Sequence, residues 1–186
     1  MAIRTTKLNR TFKQFIEKQN LFFVATAGAD GRVNLSPKGL DSLKIINDTQ
    51  IVWLSVSGSG NETAAHVLQD PRMTLMFCAF EGDALILRTY GNAQVVYPRH
   101  DEWDGLYSLF PDYAGARNIF KLDIDLVTTS CGTGVPEMAV VQPRADTELV
   151  PWYAELGDEG VDAFWRKKNV VSIDGAPTGI FDDGDM

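Results

Sequence analysis

The nine residues Gly58-Ser59-Gly60-Asn61-Glu62-Thr63-Ala64-Ala65-His66 have the composition of a helix start suited to an anion. Gly58 and Gly60 leave the backbone N–H groups unshielded, and at a helix N-terminus those donors and the helix dipole together attract phosphate. Ser59 and Glu62, three residues apart, fit a capping box in which each side chain satisfies a backbone N–H at the helix start. The helix is expected to run to Asp70 and to stop at Pro71, because the residue before a proline is pushed out of the α region. Two common phosphate signatures do not fit. Thr63 stands where a dinucleotide fingerprint needs its third glycine, and no Gly-Lys-Ser/Thr follows as in a Walker loop. A plain capped helix after a glycine turn has the same local composition, so this stretch alone leaves both readings open.

The rest of the chain bounds what such a site can serve. With 186 residues, of which 45% are hydrophobic and 10% aromatic, the chain is long enough for one domain with its own core. A formal charge of −8 argues against a nucleic-acid or anionic-membrane partner, since either needs a concentrated basic face. Residues 1–20 are polar and carry several Lys and Arg, and the apolar run Leu21-Phe22-Phe23-Val24-Ala25 is too short for a signal peptide or a membrane span. A cytoplasmic location is expected. Cys78 and Cys131 give neither a disulfide framework nor metal-ligand spacing, and with only His66 and His100 besides, no metal site is expected. Cys131 reads as a buried thiol at a strand end, with no adjacent basic residue to lower its pKa.

Hydrophobic periodicity supplies the elements that must hold the Gly58–His66 stretch. Leu8, Phe12, Phe15 and Ile16 repeat at helical spacing, with Asn9 or Thr11 available as cap. Leu21–Ala27 and Arg32–Pro37 flank the turn signal Gly28-Ala29-Asp30-Gly31 and read as a β-hairpin. Gln50–Val56, Arg72–Phe80 and Ala84–Tyr97 are strand-like, and the short Glu81-Gly82-Asp83 turn makes the last two antiparallel. Trp103, Leu106, Tyr107 and Phe110 give Arg99–Phe110 an aromatic helical face closed by Pro111. From Phe120, alternation through Leu122, Ile124 and Leu126 marks a strand with one wet face, followed by an irregular Ser130–Pro136 loop. Two short helices are expected at Pro151–Leu156 and up to about Asn169, then a poorly ordered acidic tail over 182–186. Six antiparallel strands with one helix inserted between the third and fourth point to a small closed barrel, because closure removes sheet edges. The fold expected is mainly β with peripheral helices in one domain over 1–186: a barrel core at about 20–136 and a helical extension at about 149–170.

The order of motifs Val33-Asn34-Leu35-Ser36-Pro37-Lys38-Gly39, Trp53-Leu54-Ser55, Ser59-Gly60-Asn61-Glu62-Thr63, Asp70-Pro71-Arg72 and Leu87-Arg88-Thr89-Tyr90-Gly91 resembles the pyridoxamine 5′-phosphate oxidase-like family, the FMN-binding split β-barrels. The resemblance spans roughly residues 10–136 and, with Ser-Cys-Gly-x-Gly-Val-Pro, is closest to a subgroup distinct from the strict pyridoxine phosphate oxidases. It implies a six-stranded antiparallel split barrel, a homodimer with the flavin across its interface, a small-molecule substrate and flavin-dependent oxidoreductase activity. By position it implies FMN contacts from Asn34, Leu35 and Ser36 along the ring edge, and from Lys38, Ser55, Ser59, Asn61, Thr63 and Arg88 around the phosphate. No side chain is singled out as catalytic. The Arg-x-His substrate motif of the strict oxidases is missing: Ala64 and Pro98 stand two places before His66 and His100. A vitamin-B6 substrate is therefore not expected. A flavin carrier or sensor without turnover, and a barrel holding haem or a deazaflavin, are the competing functions.

Overall fold

The computed structural model describes residues 3–181, so the tail expected over 182–186 lies outside the described residues. In chain order the elements are β1 (Arg4–Thr5), α1 (Arg10–Glu17), β2 (Phe22–Thr26), β3 (Asn34–Lys38), β4 (Leu43–Ile45), β5 (Gln50–Val56), α2 (Glu62–Gln69), β6 (Arg72–Cys78), β7 (Leu85–Val96), α3 (Trp103–Tyr107), β8 (Ala116–Cys131), a π-helical turn at Ala145–Leu149 and α4 (Val150–Lys168). Every pairing is antiparallel, in the order β3-β2-β6-β7-β8-β5-β4, with β1 added alongside β8. Mainly antiparallel sheet curled into a half-barrel with few helices is the split-barrel architecture.

The expected strand count was too low. The sheet holds eight strands among the described residues, because the three-residue β4 and the two-residue β1 are too short to show any alternation. Closure was also overestimated: β3 and β4 end the strand order without pairing to each other, so the barrel is open along that seam. The turn across the seam includes Leu40, at φ 65 the one non-glycine residue with positive φ among the described residues.

The hairpins at β2–β3 and β6–β7 form as their turn residues predict. α1 starts on Asn9, whose side chain accepts a hydrogen bond from the Phe12 N–H, and it sends Phe12 and Ile16 into the barrel. There they join Phe22, Trp53, Phe77, Leu87 and Phe120. Trp53 stacks on Phe120 at 4.4 Å between centroids and meets Phe22 edge-on at 6.1 Å; such pairs add about 0.5–1.5 kcal/mol each beyond area burial. β5 is buried on both faces, because its alternate residues Val52 and Leu54 pack with Trp103, Phe110 and Ile119 in a second cluster. That second face is why the aromatic stripe ahead of Pro111 exists, although its regular helix is only α3. β8 runs longer than expected. It carries Ser130 and Cys131 as paired residues opposite Ile86 and Leu85, so the glycine loop begins only at Gly132. Gly91 sits where β7 slips register against β8, and a Cβ there would collide with the Asp123 carbonyl. The two helices expected near the C-terminus form across a kink at Gly157, whose φ of 64 and ψ of 178 suit glycine alone.

Candidate functional site

In an antiparallel ladder, directly paired residues point to the same face. Asn34, Ser36 and Lys38 of β3 pair with Thr26, Val24 and Phe22, all three buried, so they face the inner side of the sheet. Ser55 on β5 pairs with Asn118 on β8, and both are buried two residues along from Trp53 and Phe120 of the inner core. Lys38 reaches across the gap, its Nζ 5.5 Å from the Trp53 ring centroid. α2 lies over the same region. Asn34 donates to Thr63 Oγ1 at 3.1 Å and approaches Thr26 Oγ1 at 3.5 Å, while Thr26 Oγ1 lies 3.1 Å from His66 Nδ1. Asn118 Nδ2 donates to Asn61 Oδ1 at 3.4 Å. Asn34, Asn61 and Thr63 thus meet at the first turn of α2, Ser36 and Lys38 follow Asn34 on the inner face of β3, Ser55 lies on the inner face of β5, and Ser59 is exposed on the loop before α2.

The residue that sequence reasoning missed is Arg117. It is 4% exposed and stands one place before Asn118, in no recognised motif. Its guanidinium donates to the Gly60 carbonyl at 2.9 Å, to Asn169 Oδ1 at 2.8 Å and to Ser55 Oγ at 3.2 Å. None of these acceptors is a carboxylate. Burial brings its pKa down to about 10, against the raising influence of Tyr153 and Tyr97. Burial, followed by the Arg117 charge, brings Lys38 down to about 8. Two cations, one of them buried, therefore act on the same region at a cost in a protein of net charge −8. The available signal was an arginine opening a strand whose next three residues are all buried, where an unpaired charge is expensive.

Several polar atoms here lack a partner. Among the described residues, six buried side-chain nitrogen or oxygen atoms make no hydrogen bond, and five of them are Ser36 Oγ, Trp53 Nε1, Asn61 Nδ2, Arg117 Nε and Asn118 Oδ1. Buried polar atoms are nearly always satisfied by protein or water, so this clustering makes the α2 start the candidate site for a polar ligand.

The capping box does not form. Asn61 is the N-cap, no side chain caps α2, and Glu62 accepts the Ile173 N–H at 3.0 and 3.1 Å through its two oxygens. Leu35 and Arg88 do not join the cluster. Leu35 pairs with Ala25 and is 62% exposed, whereas Arg88 pairs with Met76, which pairs with Phe23, so both point to the outer face. There Arg88 donates to Ser130 Oγ at 3.0 Å. Cys131 is exposed, not buried as its strand-end position predicted, and hydrogen bonds from Thr133 lower its pKa, the side-chain contact at 2.9 Å first and the backbone N–H second. A cavity of about 790 Å³ between α1, the β6–β7 turn and residues 138–140 includes Phe15, Phe80, Leu85 and Met138 in its wall and shares no residue with the polar cluster.

The family model for pyridoxamine 5′-phosphate oxidase matches residues 8–131, which takes in every strand from β2 to β8. The chain belongs to the pyridoxamine 5′-phosphate oxidase family. Within that family it is 34% identical over 162 residues to the Aspergillus flavus pyridoxamine 5′-phosphate oxidase family protein ustO, a match covering 82% of this chain and 64% of that protein. The chain thus spans a little under two thirds of that relative's length. Two solved structures share the fold at TM-score 0.53: the Group A Streptococcus protein HupZ, at 17% identity over 66% of this chain and 98% of its own, and a Lactobacillus delbrueckii protein described provisionally as a pyridoxamine 5′-phosphate oxidase, at 21% identity over 66% and 94%. The family model ends at Cys131, so α4 and the segment after it, which supply Asn169 and Ile173 to the site, lie outside the family core. Among the described residues no helix is long and apolar enough to cross a membrane.

Proposed function

We propose that this family member binds FMN with its phosphate at the start of α2, and that it acts as a flavin-dependent oxidoreductase on a small molecule. The observation that carries the reading is the pair Lys38 and Arg117, two cations in the same region as the buried, unpartnered donors Asn61 Nδ2 and Arg117 Nε and with no carboxylate bonded to either. A phosphomonoester brings about two negative charges and several acceptor oxygens at neutral pH, which is what this donor set lacks. Lys38, Ser59, Asn61 and Thr63 would hold the phosphate, with Arg117 as the buried charge behind them. Asn34 and Ser36, on the same face of β3, would follow the ring system. Bound there, the flavin supplies hydride-transfer chemistry, while the protein binds and orients it.

Leu35, Arg88 and the segment from Ser130 face the other way, and we assign them to contacts across a symmetric homodimer, where they would meet the partner's flavin. Exposed Val33 and Leu35 on that side fit burial by a second copy. Vitamin-B6 phosphates are not proposed as substrates, since the Arg-x-His anchor is missing.

Titration of the apoprotein tests the phosphate assignment. A charge-assisted hydrogen bond contributes about 1.5–3 kcal/mol, so FMN is expected to bind at least tenfold tighter than riboflavin. Equal affinity for the two would overturn the reading. Reduction of the bound flavin by NADH or NADPH separates an oxidoreductase from a carrier.

A further inference from the structure

The glycines that expose the α2 start also leave it soft. Gly58 and Gly60 have the widest backbone freedom of any residue type, and a Cβ at Gly58 would meet nothing within 4 Å. Something else must hold this loop in shape. Ser57 is tied to the Gly115 carbonyl by both its N–H and its hydroxyl, and it accepts from Trp165 Nε1 at 2.6 Å. Beyond Ser57, Asn169 and Arg117 hold the carbonyls of Gly58 and Gly60.

We infer that Asn169, at the C-terminus of α4 and outside the family core, is a positioning residue for the phosphate site. This rests on the FMN reading above and adds the part that gives that site its shape. Asn169 is 0% exposed. Its amide Nδ2 donates to the Gly58 carbonyl at 2.9 Å, and its Oδ1 accepts from Arg117 Nη1 at 2.8 Å. The same Nη1 donates to the Gly60 carbonyl, so one side chain fixes the loop directly at Gly58 and through Arg117 at Gly60. Asn169 is itself immobile: its N–H donates to the Trp165 carbonyl and its carbonyl accepts from Thr178 Oγ1 at 2.5 Å. By holding two corners of the guanidinium, Asn169 and Ser55 set the direction of the unpartnered Nε.

The same C-terminal segment acts on the helix from the other side. The Ile173 N–H draws the Glu62 carboxylate to itself, so the acid does not serve as a cap for α2 and its charge is already engaged. Asn169 shapes the loop and Ile173 keeps a competing anion occupied. Neither residue touches the phosphate in this scheme; Asn169 acts through the loop and Arg117, and Ile173 through Glu62.

Two variants and a control test the inference in titrations with FMN and riboflavin. N169A removes both contacts; N169D keeps an oxygen toward Arg117, loses the donor toward Gly58 and puts a negative charge beside the phosphate. F164A is the control, because Phe164 packs edge-on against Trp152 and Tyr153 and removes α4 packing without touching the loop. Removing residues that orient a ligand's contacts costs roughly tenfold to a hundredfold in affinity at metal sites. A loss of about that size is expected for FMN in N169A and N169D, with riboflavin affinity changed less than about twofold and F164A binding both ligands as wild type does. A wild-type FMN-to-riboflavin ratio in N169A or in N169D overturns the positioning role, as does the same loss of ratio in F164A. If N169A does not fold, N169D decides. Equal affinities in the wild type would instead sink the phosphate assignment itself, whatever the variants do.

Discussion

β3 serves two regions that differ in how far one chain completes them. On its inner side Asn34 donates to Thr63 of α2, Lys38 lies against Trp53 in the field of Arg117, and the paired residues Thr26, Val24 and Phe22 are buried. On its outer side Leu35 stands 62% exposed, and farther along the same face the half-buried Arg88 engages only a hydroxyl. The alternation of a strand is therefore not a division into core and solvent here. The inner region has its charges and donors held by hydrogen bonds before any ligand arrives, whereas the outer one offers exposed apolar groups that a second copy would cover under the dimer proposed above. Preorganised groups bind at lower cost, so the inner region should govern ligand affinity and the outer one assembly.

The strongest attack on that contrast is R117M. It removes a buried cation and leaves Gly60, Asn169 and Ser55 with unpaired groups, a change worth about 3 kcal/mol. In a domain of this size the melting temperature is expected to fall by roughly 6–12 °C, with loss of FMN preference over riboflavin. An unchanged melting temperature would show that the inner region is not a preorganised network.

A subtler test uses pH. Lys38 titrates near 8 in the ligand-free fold and near 10.5 once unfolded. Between those values the unfolded chain holds the extra proton, so the ligand-free protein gains stability as pH rises through that window. A bound phosphate raises the Lys38 pKa, so FMN affinity is expected to fall above about pH 8, by up to about tenfold per pH unit. The charge acting on Lys38 does not titrate first: Arg117 keeps its proton to about pH 10, and burial raises Tyr97 and Tyr153, whose hydroxyls act on Arg117. K38M should flatten the profile without destabilising the apoprotein; an equally steep profile in K38M would remove Lys38 from the site.

R88A should do least to the single chain, within about 0.5 kcal/mol by denaturant melt, since the residue is half-exposed and its bond is to a neutral hydroxyl. Its effect is expected in assembly, read as a shift toward one-chain mass in light scattering at low micromolar concentration. A wild-type mass of one chain at that concentration would sink the dimer and leave the outer face without its proposed use.

What the sequence made legible follows from range. The β2–β3 hairpin and the β6–β7 turn depend on residues close in the chain and appear as read, whereas the alternation read through Phe120, Leu122, Ile124 and Leu126 holds only to Ile124, because the register shift opposite Gly91 puts Val127 in the core in place of Leu126. The capping box failed because Glu62 is taken by Ile173, 111 positions away, and no local pattern announces that competition. Cys131 was misjudged for a related reason: a strand end is buried only if something packs over it, and none of the described residues does. Arg117 was overlooked because its worth lies in what surrounds it, a buried carbonyl, an amide from α4 and a lysine from another strand. The lysine and the helix start were visible from family motifs, but the arginine behind them and the asparagine that holds it were not.

The strand order also sets a timetable. β8 alone joins β7 to β5, so before residues 116–131 exist the sheet is two unconnected pieces, β3-β2-β6-β7 and β4-β5, each with a hydrophobic face and an open edge. On the ribosome, which adds about 5–20 residues per second, those edges wait several seconds for their common partner. Pairings of such long sequence separation are slow to form even in the released chain. The interval in which this protein can mispair or aggregate is thus fixed less by any one residue than by the late arrival of the strand that joins the two pieces.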